Sequence, residues 1–139
     1  MTIVEAIEQR KSARFLPRQW VELEFYDCVT FVASVYCAAG VMDSWTFSLD
    51  YAVYGKSEKP FDRMVREIEA TDSFDLVEGE PQHGDLLALS RGNRGHHAAI
   101  YLDGGRIAHC TREEGVVITH WQEPFVSYLK RIYRPRSNG

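Results

Sequence analysis

The order of its hydrophobic patterns restricts the fold of this 139-residue chain more than any other feature. Apolar side chains recur at helical spacing in the first half. The second half instead holds short segments that are rich in β-branched or apolar residues and bounded by glycine, proline or charge. These segments are SFDLV, GDLLALS, HHAAIYLD, RIAHC, GVVIT and RIYRP. Helices that precede strands in this way favour an α+β domain with a mostly antiparallel sheet.

Two of the three predicted helices carry sequence signals in their first turn. Thr2-Ile3-Val4-Glu5 has the capping-box pattern, so a helix is predicted from about Ile3 to Lys11. Pro60 suits the first turn of another helix. The apolar face of that helix would comprise Phe61, Met64, Val65 and Ile68. RFLPRQWVELEFY is predicted to be a structured loop, MDSWTFSLDYAVYGKSE an irregular stretch and SRGNRG a hairpin loop.

The remaining helix is predicted to begin at a cysteine. Asp27 has the residue type of an N-cap and Gly40 that of a helix stop, so the helix would run from Cys28 to about Ala39. A thiol at a helix N terminus feels the positive end of the helix dipole, which lowers its pKa from about 8.5. Unpaired backbone N–H groups in the same turn could stabilise a tetrahedral oxyanion. Cys28 is therefore a candidate nucleophile if a base lies beside it.

Two histidines flank a predicted hairpin and could supply that base. A two-residue turn at Gly104 and Gly105 would place His97 and His109 on opposite faces of the sheet. A three-residue loop, from Asp103 to Gly105, pairs residue 102 with 106 and 99 with 109, so both rings share a face. Their backbones would then be roughly 7–8 Å apart on a diagonal, which two imidazoles can bridge. A catalytic role for the pair thus predicts a three-residue loop.

The other cysteines and histidines are predicted to have structural roles. Cys37 lies inside the second helix and should be a small buried apolar residue. Cys110 follows His109, so it should point to the opposite face and pack there. His96 has the opposite parity to His97 and should point away from it. His83 and His120 lie beside turn or strand ends and should be at the surface.

The ordered set of motifs resembles the NlpC/P60 cysteine peptidases. It comprises Asp-Cys at the head of an apolar helix, GDLLAL, His-x-x-Ile-Tyr-Leu, a turn with glycine, and a second histidine twelve residues after the first, over about residues 14–119. The resemblance implies a papain-like fold with the nucleophile, Cys28, at a helix N terminus. It further implies that His97 is the base and that His109 orients it. Asp27 matches an acidic family position that helps to bind substrate, although an N-cap role explains it equally well.

The resemblance also implies a substrate and a reaction. The family cuts peptidoglycan stem peptides, so the implied reaction is thiol hydrolysis of an amide bond, such as that between D-glutamate and the diamino acid, without a metal or organic cofactor. The sequence departs from the family at Val29 and Thr30, where small residues are usual. Phe15 also stands in the place of a family tyrosine. These departures bear on the oxyanion and substrate contacts.

The net charge and the length of the chain restrict the binding partners, the route of export and the number of domains that we expect. A net charge of -4 argues against nucleic-acid binding, because no basic excess neutralises phosphates. No apolar run approaches the about 20 residues that span a bilayer, and the N terminus lacks an apolar signal core, so neither a membrane span nor Sec export is expected. The length fits one domain over residues 1–139. A short chain without a signal looks most like the phage-tail or gene-transfer-agent branch or a secreted amidase toxin. The implied route from cytoplasm to cell wall or periplasm is a phage tail or a secretion system.

Three alternatives stay open at this point. Cys28, His97, His109 and Cys110 are zinc-ligand types, but the sequence has no CxxC or HxxxH pair. A non-catalytic wall-binding or tail-structural module with a degenerate site is the second alternative. An acyltransferase that uses the same three residues on a lipid or amine is the third.

Overall fold

The computed structural model describes residues 1–45, 59–92 and 95–136. Its helices are α1 (Ile3–Gln9), α2 (Cys28–Ala38), α3 (Pro60–Ala70) and α4 (Phe125–Tyr128). Its strands are β1 (Arg14–Phe15), β2 (Trp20–Val21), β3 (Phe25–Tyr26), β4 (Phe74–Val77), β5 (Leu86–Ser90), β6 (His96–Leu102), β7 (Arg106–Thr111), β8 (Gly115–His120) and β9 (Leu129–Pro135). Most of the stretch predicted to be irregular, 42–58, and part of the predicted loop 90–95 lie outside the described residues.

Six strands form the main sheet in the order β4-β9-β5-β6-β7-β8, and every neighbouring pair is antiparallel. The predicted α+β fold with an antiparallel sheet is thus confirmed. A second, small sheet of β1, β3 and β2 lies in the stretch that was predicted to be a loop around Pro17. Strands of two residues are too short to show an alternating hydrophobic pattern, which is why the sequence does not indicate them.

The predicted helix starts are also confirmed. α1 begins with its capping box and ends at Gln9 rather than Lys11, because Arg10 takes the C-cap position. α2 and α3 begin at the predicted residues, Cys28 and Pro60. α4 was not predicted, since four residues are too few for helical periodicity. Within the described ranges, no helix is both long and apolar enough to cross a bilayer.

α2 is the central helix of the protein. Its residues from Cys28 to Tyr36 are all buried, so it has no polar face and must be covered on every side. α1 contacts it on one side, and β6 and β7 contact it on another. Small side chains on these two strands, Ala98 and Ala108, belong to the same core cluster and let the helix approach the sheet closely. The first turn of α2 is therefore packed beside the strands that carry His97 and His109.

The opposite face of the main sheet is covered by the C-terminal part of the chain. Its buried residues are Leu87, Leu89, Ala99, Ile107 and Ile132. Aromatic side chains pack over this cluster, including Trp121 and, from α4, Phe125 and Tyr128. Side chains alternate between the faces of a strand, so the residues of β6 and β7 that share parity with Ala99 and Ile107 point to this side.

Candidate active site

A cavity of about 700 Å³ lies at the N terminus of α2. Ser90 at the end of β5, His97 at the start of β6 and Thr111 at the end of β7 all line it, so the cavity runs across one end of the main sheet. Cys28 lines the same cavity. The structure therefore brings Cys28 and His97, which were predicted to act together, to one solvent-connected space.

The hairpin between β6 and β7 has the three-residue loop that was predicted. Leu102 pairs with Arg106 and Ile100 with Ala108, so residues 103–105 form the loop. Nε2 of His97 lies 2.8 Å from Nδ1 of His109, a hydrogen-bond distance. The predicted placement of both imidazoles on one face is confirmed. A two-residue turn would have separated them, so the loop length decides this contact.

Thr119 extends the contact between the two histidines into a chain of three polar side chains. Its Oγ1 lies 2.9 Å from Nε2 of His109. Thr119 pairs with Ile107 in the β7–β8 ladder, which places it on the same face as His109 and diagonal to it. No sequence pattern singled out this residue. If the pairing register of β7 with β8 were known, the alternation of side chains along GVVITH would place Thr119 on the same face as His109. The sequence does not give that register.

Phe125 of α4 covers the two imidazoles. Its ring stacks on His97 at a centroid distance of 6.4 Å and an interplanar angle of 27°. It meets His109 edge-on, at 5.3 Å and 88°. The phenyl ring thus limits the rotation of both imidazoles and shields their hydrogen bond from water. No sequence pattern linked Phe125 to the histidines, because the short α4 itself was not predicted.

Burial dominates the electrostatics of the site. It raises the pKa of the Cys28 thiol to about 12, and the Asp27 carboxylate adds to the increase. Hydrogen bonds from the backbone of Ala98 and of Cys28 itself act in the opposite direction. Burial lowers the pKa of His97 to about 3, with smaller contributions from His109 and His96. The expectation that the helix end lowers the thiol pKa is therefore wrong for the free protein, because desolvation outweighs it.

The Asp27 carboxylate is hydrogen-bonded to backbone N–H groups around it. Its Oδ1 accepts hydrogen bonds from the backbone N–H groups of Val29 and Thr30, at 2.9 and 2.8 Å. Its Oδ2 accepts one from the backbone N–H of Arg18 at 3.2 Å. The N-cap role is confirmed, and its predicted role in substrate binding stays a prediction. Thr30 completes the capping box with its own Oγ1, which accepts from the Asp27 N–H at 2.8 Å. This gives a structural reason for the departure from small residues at position 30.

A polar network, buried except at Glu22, holds the segment before Cys28. The Arg10 side chain is buried and donates from Nε to Ser34 Oγ at 2.7 Å and from Nη2 to Glu22 at 3.2 Å. The Tyr26 hydroxyl donates to the same Glu22 carboxylate. Because Ser34 lies on α2 and Arg10 follows α1, the network ties both helices to the β2–β3 segment. Sequence reasoning did not single out these residues.

The remaining cysteines lie where they were expected. Cys110 is fully buried against the α2 side of the sheet, and its thiol donates to the Tyr26 carbonyl at 3.5 Å. Cys37 is partly buried and packs on the same core. Both observations confirm the predicted packing roles, and all three cysteines are free thiols.

The remaining histidines are also placed as expected, with one addition. His96 points to the face opposite His97, as its parity predicts, but it still lines the cavity because the cavity spans the strand ends. His83 accepts a hydrogen bond from the Asp103 N–H at 3.0 Å at the far end of the sheet. His120 is exposed, as predicted.

The arrangement does not favour the zinc alternative. His97 and His109 direct ring nitrogens at each other rather than at a common point. Cys110 lies on the opposite face, as its parity predicted. In the part of the chain that the structure describes, no three His, Cys, Asp or Glu side chains are grouped so that they could hold a metal ion.

Comparison with known proteins gives the family. The NlpC/P60 family profile matches residues 18–134. The chain is similar to the solved structure of an NlpC/P60 family protein from Bacillus cereus ATCC 10987, with a TM-score of 0.68 and 16% identity over 97% of this chain. It spans 39% of the length of that protein. A search of curated proteins found no match.

Two further structures are similar to the chain over most of its length. The NlpC/p60 domain of the peptidoglycan hydrolase SagA has a TM-score of 0.61 and 19% identity, with 94% of each chain covered. The peptidoglycan hydrolase RipB from Mycobacterium tuberculosis has a TM-score of 0.52 and 17% identity, over 95% of this chain and 63% of RipB. At these identities the structures establish the fold, and the family profile covers most of the sequence. The chain therefore belongs to the NlpC/P60 family.

Proposed function

We propose that this protein is a cysteine peptidase or amidase that hydrolyses an amide bond in peptidoglycan stem peptides. Cys28 would be the nucleophile, His97 the base and His109 the residue that orients it. One observation carries the proposal: His97 lines the same cavity as Cys28, and its ring is hydrogen-bonded to His109 behind it. Membership of the NlpC/P60 family and the similarity to SagA and RipB, both described as peptidoglycan hydrolases, support the choice of substrate.

The hydrogen bonds of His97 decide which nitrogen acts as the base. Nε2 is occupied by His109, so Nδ1 is the nitrogen that can take a proton from the thiol. A neutral imidazole with a free lone pair on Nδ1 carries its proton on Nε2. His97 must therefore donate from Nε2 to Nδ1 of His109. His109 then carries its own proton on Nε2 and donates it to Thr119 Oγ1.

The hydrogen bonds from His97 to His109 and from His109 to Thr119 make Thr119 a positioning residue. A hydroxyl that accepts from His109 keeps both imidazoles in the tautomers that catalysis needs. If Thr119 donated instead, His109 would donate to His97 and the proton of His97 would lie on Nδ1, which could not act as a base. The Thr119 side chain thus supports the reactive tautomer from two residues away, as second partners of catalytic histidines do elsewhere.

The pKa values determine when the proton moves. With the Cys28 thiol near 12 and the His97 imidazole near 3, both groups are neutral in the free protein at neutral pH. The proton therefore passes from sulfur to Nδ1 as the C–S bond forms, rather than before substrate binds. The protonated His97 then gives its proton to the leaving amine, and water hydrolyses the acyl-enzyme with His97 again as base.

The oxyanion donors are fewer than the sequence indicated. The N–H groups of Val29 and Thr30 are bonded to Asp27, so they are not available to a substrate. The first-turn N–H that Asp27 does not bind belongs to Cys28 itself. We expect this group to donate to the carbonyl oxygen as the tetrahedral intermediate forms, because the oxygen then lies beside the attacked carbon.

The finer assignments follow the family resemblance. We propose the bond between D-glutamate and the diamino acid as the site of cleavage. We further propose that a phage tail or a secretion system brings the protein to the cell wall or periplasm without Sec export. No nucleic acid or membrane is needed for this activity, and its chemistry uses no metal or organic cofactor.

Mass spectrometry of muropeptides tests the proposal. Purified stem peptides are incubated with the protein, with Cys28→Ala and with Cys37→Ala, which removes a second thiol from the same helix outside the cavity. We expect cleavage by the wild-type protein and by Cys37→Ala, and none by Cys28→Ala. Cleavage by Cys28→Ala at the wild-type rate would refute the thiol mechanism. The masses of the products identify the bond.

A non-catalytic wall-binding module is the second candidate. It is favoured by the 6% exposure of Cys28 and the raised pKa of its thiol, since a neutral, buried thiol reacts slowly. Alkylation by iodoacetamide near neutral pH separates the two candidates. Labelling of Cys28 much faster than that of Cys37 would favour catalysis, because the nucleophile of a peptidase must be reachable and reactive. Labelling of Cys28 no faster than that of Cys37 would favour the binding module.

A further inference from the structure

The cavity carries positive charge in a protein whose net charge is -4. Among the described residues, three arginines, Arg18, Arg91 and Arg112, line it, against the acidic Asp27 and Glu113. Both carboxylate oxygens of Asp27 are occupied by backbone N–H groups. The cavity thus has more guanidinium groups than carboxylates, although acidic residues outnumber basic ones in the whole chain.

Arg112 is held at the cavity by an aromatic ring rather than by an acid. Its guanidinium carbon lies 5.5 Å from the ring centroid of Phe15. Among the described residues, no carboxylate lies within ion-pair distance of Arg112 or of Arg18, even though Glu113 is adjacent in sequence. A guanidinium that stacks on a ring keeps its N–H groups free to bind a carboxylate in two-point geometry.

The backbone around Arg112 is docked firmly onto β1. The Val116 N–H donates to the Ala13 carbonyl at 3.1 Å. Gly115, at φ +74°, lies so close that a Cβ there would be 2.5 Å from the same carbonyl oxygen. These contacts tie the turn that carries Arg112 to the segment that carries Phe15 and bring the two residues together in the cavity wall.

Arg18 is fixed from another direction. Its backbone has φ +57°, a left-handed conformation that is uncommon for residues with a side chain, and its N–H donates to Asp27 Oδ2 at 3.2 Å. The same carboxylate caps α2 in front of Cys28. The position of Arg18 is thus set by the residue next to the candidate nucleophile.

We propose that Arg112 and Arg18 bind carboxylates of the substrate, so that the enzyme selects acidic peptides with a free carboxylate next to the bond that is cut. The inference rests on the proposed function and gives it a specificity. A γ-linked glutamate leaves its α-carboxylate free, and an acidic diamino acid supplies a second one. Both lie within a residue of the proposed cleavage site. Arginine suits such groups because its planar fork forms two parallel charge-assisted hydrogen bonds with a carboxylate.

Amidation of the substrate tests the proposal. Three synthetic stem peptides are compared: one unmodified, one with the glutamate α-carboxylate amidated and one with the diamino-acid carboxylate amidated. We expect at least one amidation to lower kcat/KM of the wild-type protein roughly tenfold or more, which is typical for the loss of a charge-assisted pair. Arg112→Gln should abolish most of that preference through KM, with kcat changed by less than about twofold. Arg18→Gln should act in the same direction.

Arg106→Gln is the matched control, because Arg106 is an exposed arginine at the other end of β7. Among the residues that the structure describes, its side chain donates only to the Asp103 carbonyl in its own turn. This variant should keep the wild-type preference. Equal kcat/KM values for all three peptides with the wild-type protein would overturn the proposal, as would an unchanged preference in Arg112→Gln.

Binding separates this proposal from the proposed function. Calorimetric titration of Cys28→Ala with the same three peptides reports carboxylate recognition whether or not the protein cleaves them. A wild-type protein that cleaves nothing, with Cys28→Ala preferring the unmodified peptide, would refute the hydrolase and keep the carboxylate site. Equal affinities for all three peptides would refute the site, even if the protein cleaves them.

Discussion

At one end of the main sheet, all the hydrogen bonds of the buried Asp85 carboxylate are made within the protein. At the other end, the guanidinium groups of Arg112 and Arg18 have no carboxylate partner among the described residues. Asp85 accepts from Arg134 at 3.0 and 2.8 Å and from the Gln82 N–H at 2.7 Å. β5 and β6 connect the two ends. Each of these strands therefore has one end at the Asp85 cluster, whose polar groups are paired within the protein, and the other end at the open cavity.

The comparison separates structural from functional polar groups. A buried charge whose hydrogen bonds are all made inside the protein stabilises one conformation and has no capacity left for a ligand. Guanidinium groups and an imidazole nitrogen that face a cavity have that capacity. Substitutions at the Asp85 end should therefore change stability, and substitutions at the cavity end should change activity.

The largest expected effect is on activity at the cavity end. His97→Ala should lower kcat for muropeptide cleavage by roughly a thousandfold or more, because it removes the only proposed base. The melting temperature should stay close to that of the wild-type protein. Kinetics followed by product mass spectrometry measure the first effect and calorimetry the second. If the variant retained more than a tenth of the wild-type kcat, His97 would not be the catalytic base.

The next largest effect is on stability at the closed end. Asp85→Ala should lower the free energy of unfolding by about 3 kcal/mol, because it leaves the Gln82 N–H and the Arg134 guanidinium without their partner. Chemical denaturation measures the change. Asp75→Ala is the control, since it removes the exposed partner of Arg136 and should leave stability almost unchanged. Equal effects of the two substitutions would contradict the proposed difference between buried and exposed pairs.

Acidification should destabilise the cavity end in particular. Burial lowers the pKa of His97 to about 3 and that of His109 to about 4, whereas histidines in an unfolded chain titrate near their ordinary value of about 6.5. The unfolded state therefore binds more protons, and stability is lost as pH falls from 6.5 towards 4. Each histidine contributes about 1.4 kcal/mol per pH unit in this window.

His97→Gln tests the origin of that loss. The free energy of unfolding, measured by denaturant titration at several pH values, should fall less steeply with acidification in this variant than in the wild type. His120→Gln, at an exposed site, should keep the wild-type slope. Identical slopes in the wild type and His97→Gln would show that His97 is not buried as a neutral base.

The smallest expected effect concerns the tautomer of the histidine pair. Thr119→Val should lower kcat by roughly five- to twentyfold with little change in KM, because His109 loses the acceptor for its Nε2 proton. Thr119→Ser should restore most of the activity. The NMR signals of the ring nitrogens should show a mixed tautomer at His97 in the valine variant and a single one in the wild type. Full activity of Thr119→Val with a single tautomer would exclude this role.

Sequence reasoning succeeded where a few neighbouring residues contain the answer. Asp27 and Thr30 are three residues apart, and their capping box starts α2 at Cys28 as predicted. Parity showed that a three-residue loop at Asp103–Gly105 would bring His97 to His109 and that a two-residue turn would not, and the structure has the three-residue loop. Sequence reasoning failed for the small strands β1 to β3 and for α4, whose lengths are below one hydrophobic period.

The sequence alone indicates the resemblance to the family and the order of helices and strands, and it left two turn lengths open for the hairpin that carries the two histidines. The packed structure adds that burial raises the pKa of the Cys28 thiol, that Thr119 and Phe125 contact the histidines, and that the Arg112 guanidinium lies over the Phe15 ring at the cavity. The two kinds of information differ in the distance along the chain over which they act. Caps, turns and periodicity depend on residues a few positions apart, whereas desolvation and side-chain contacts across a cavity depend on everything that packs around the site, from every part of the chain.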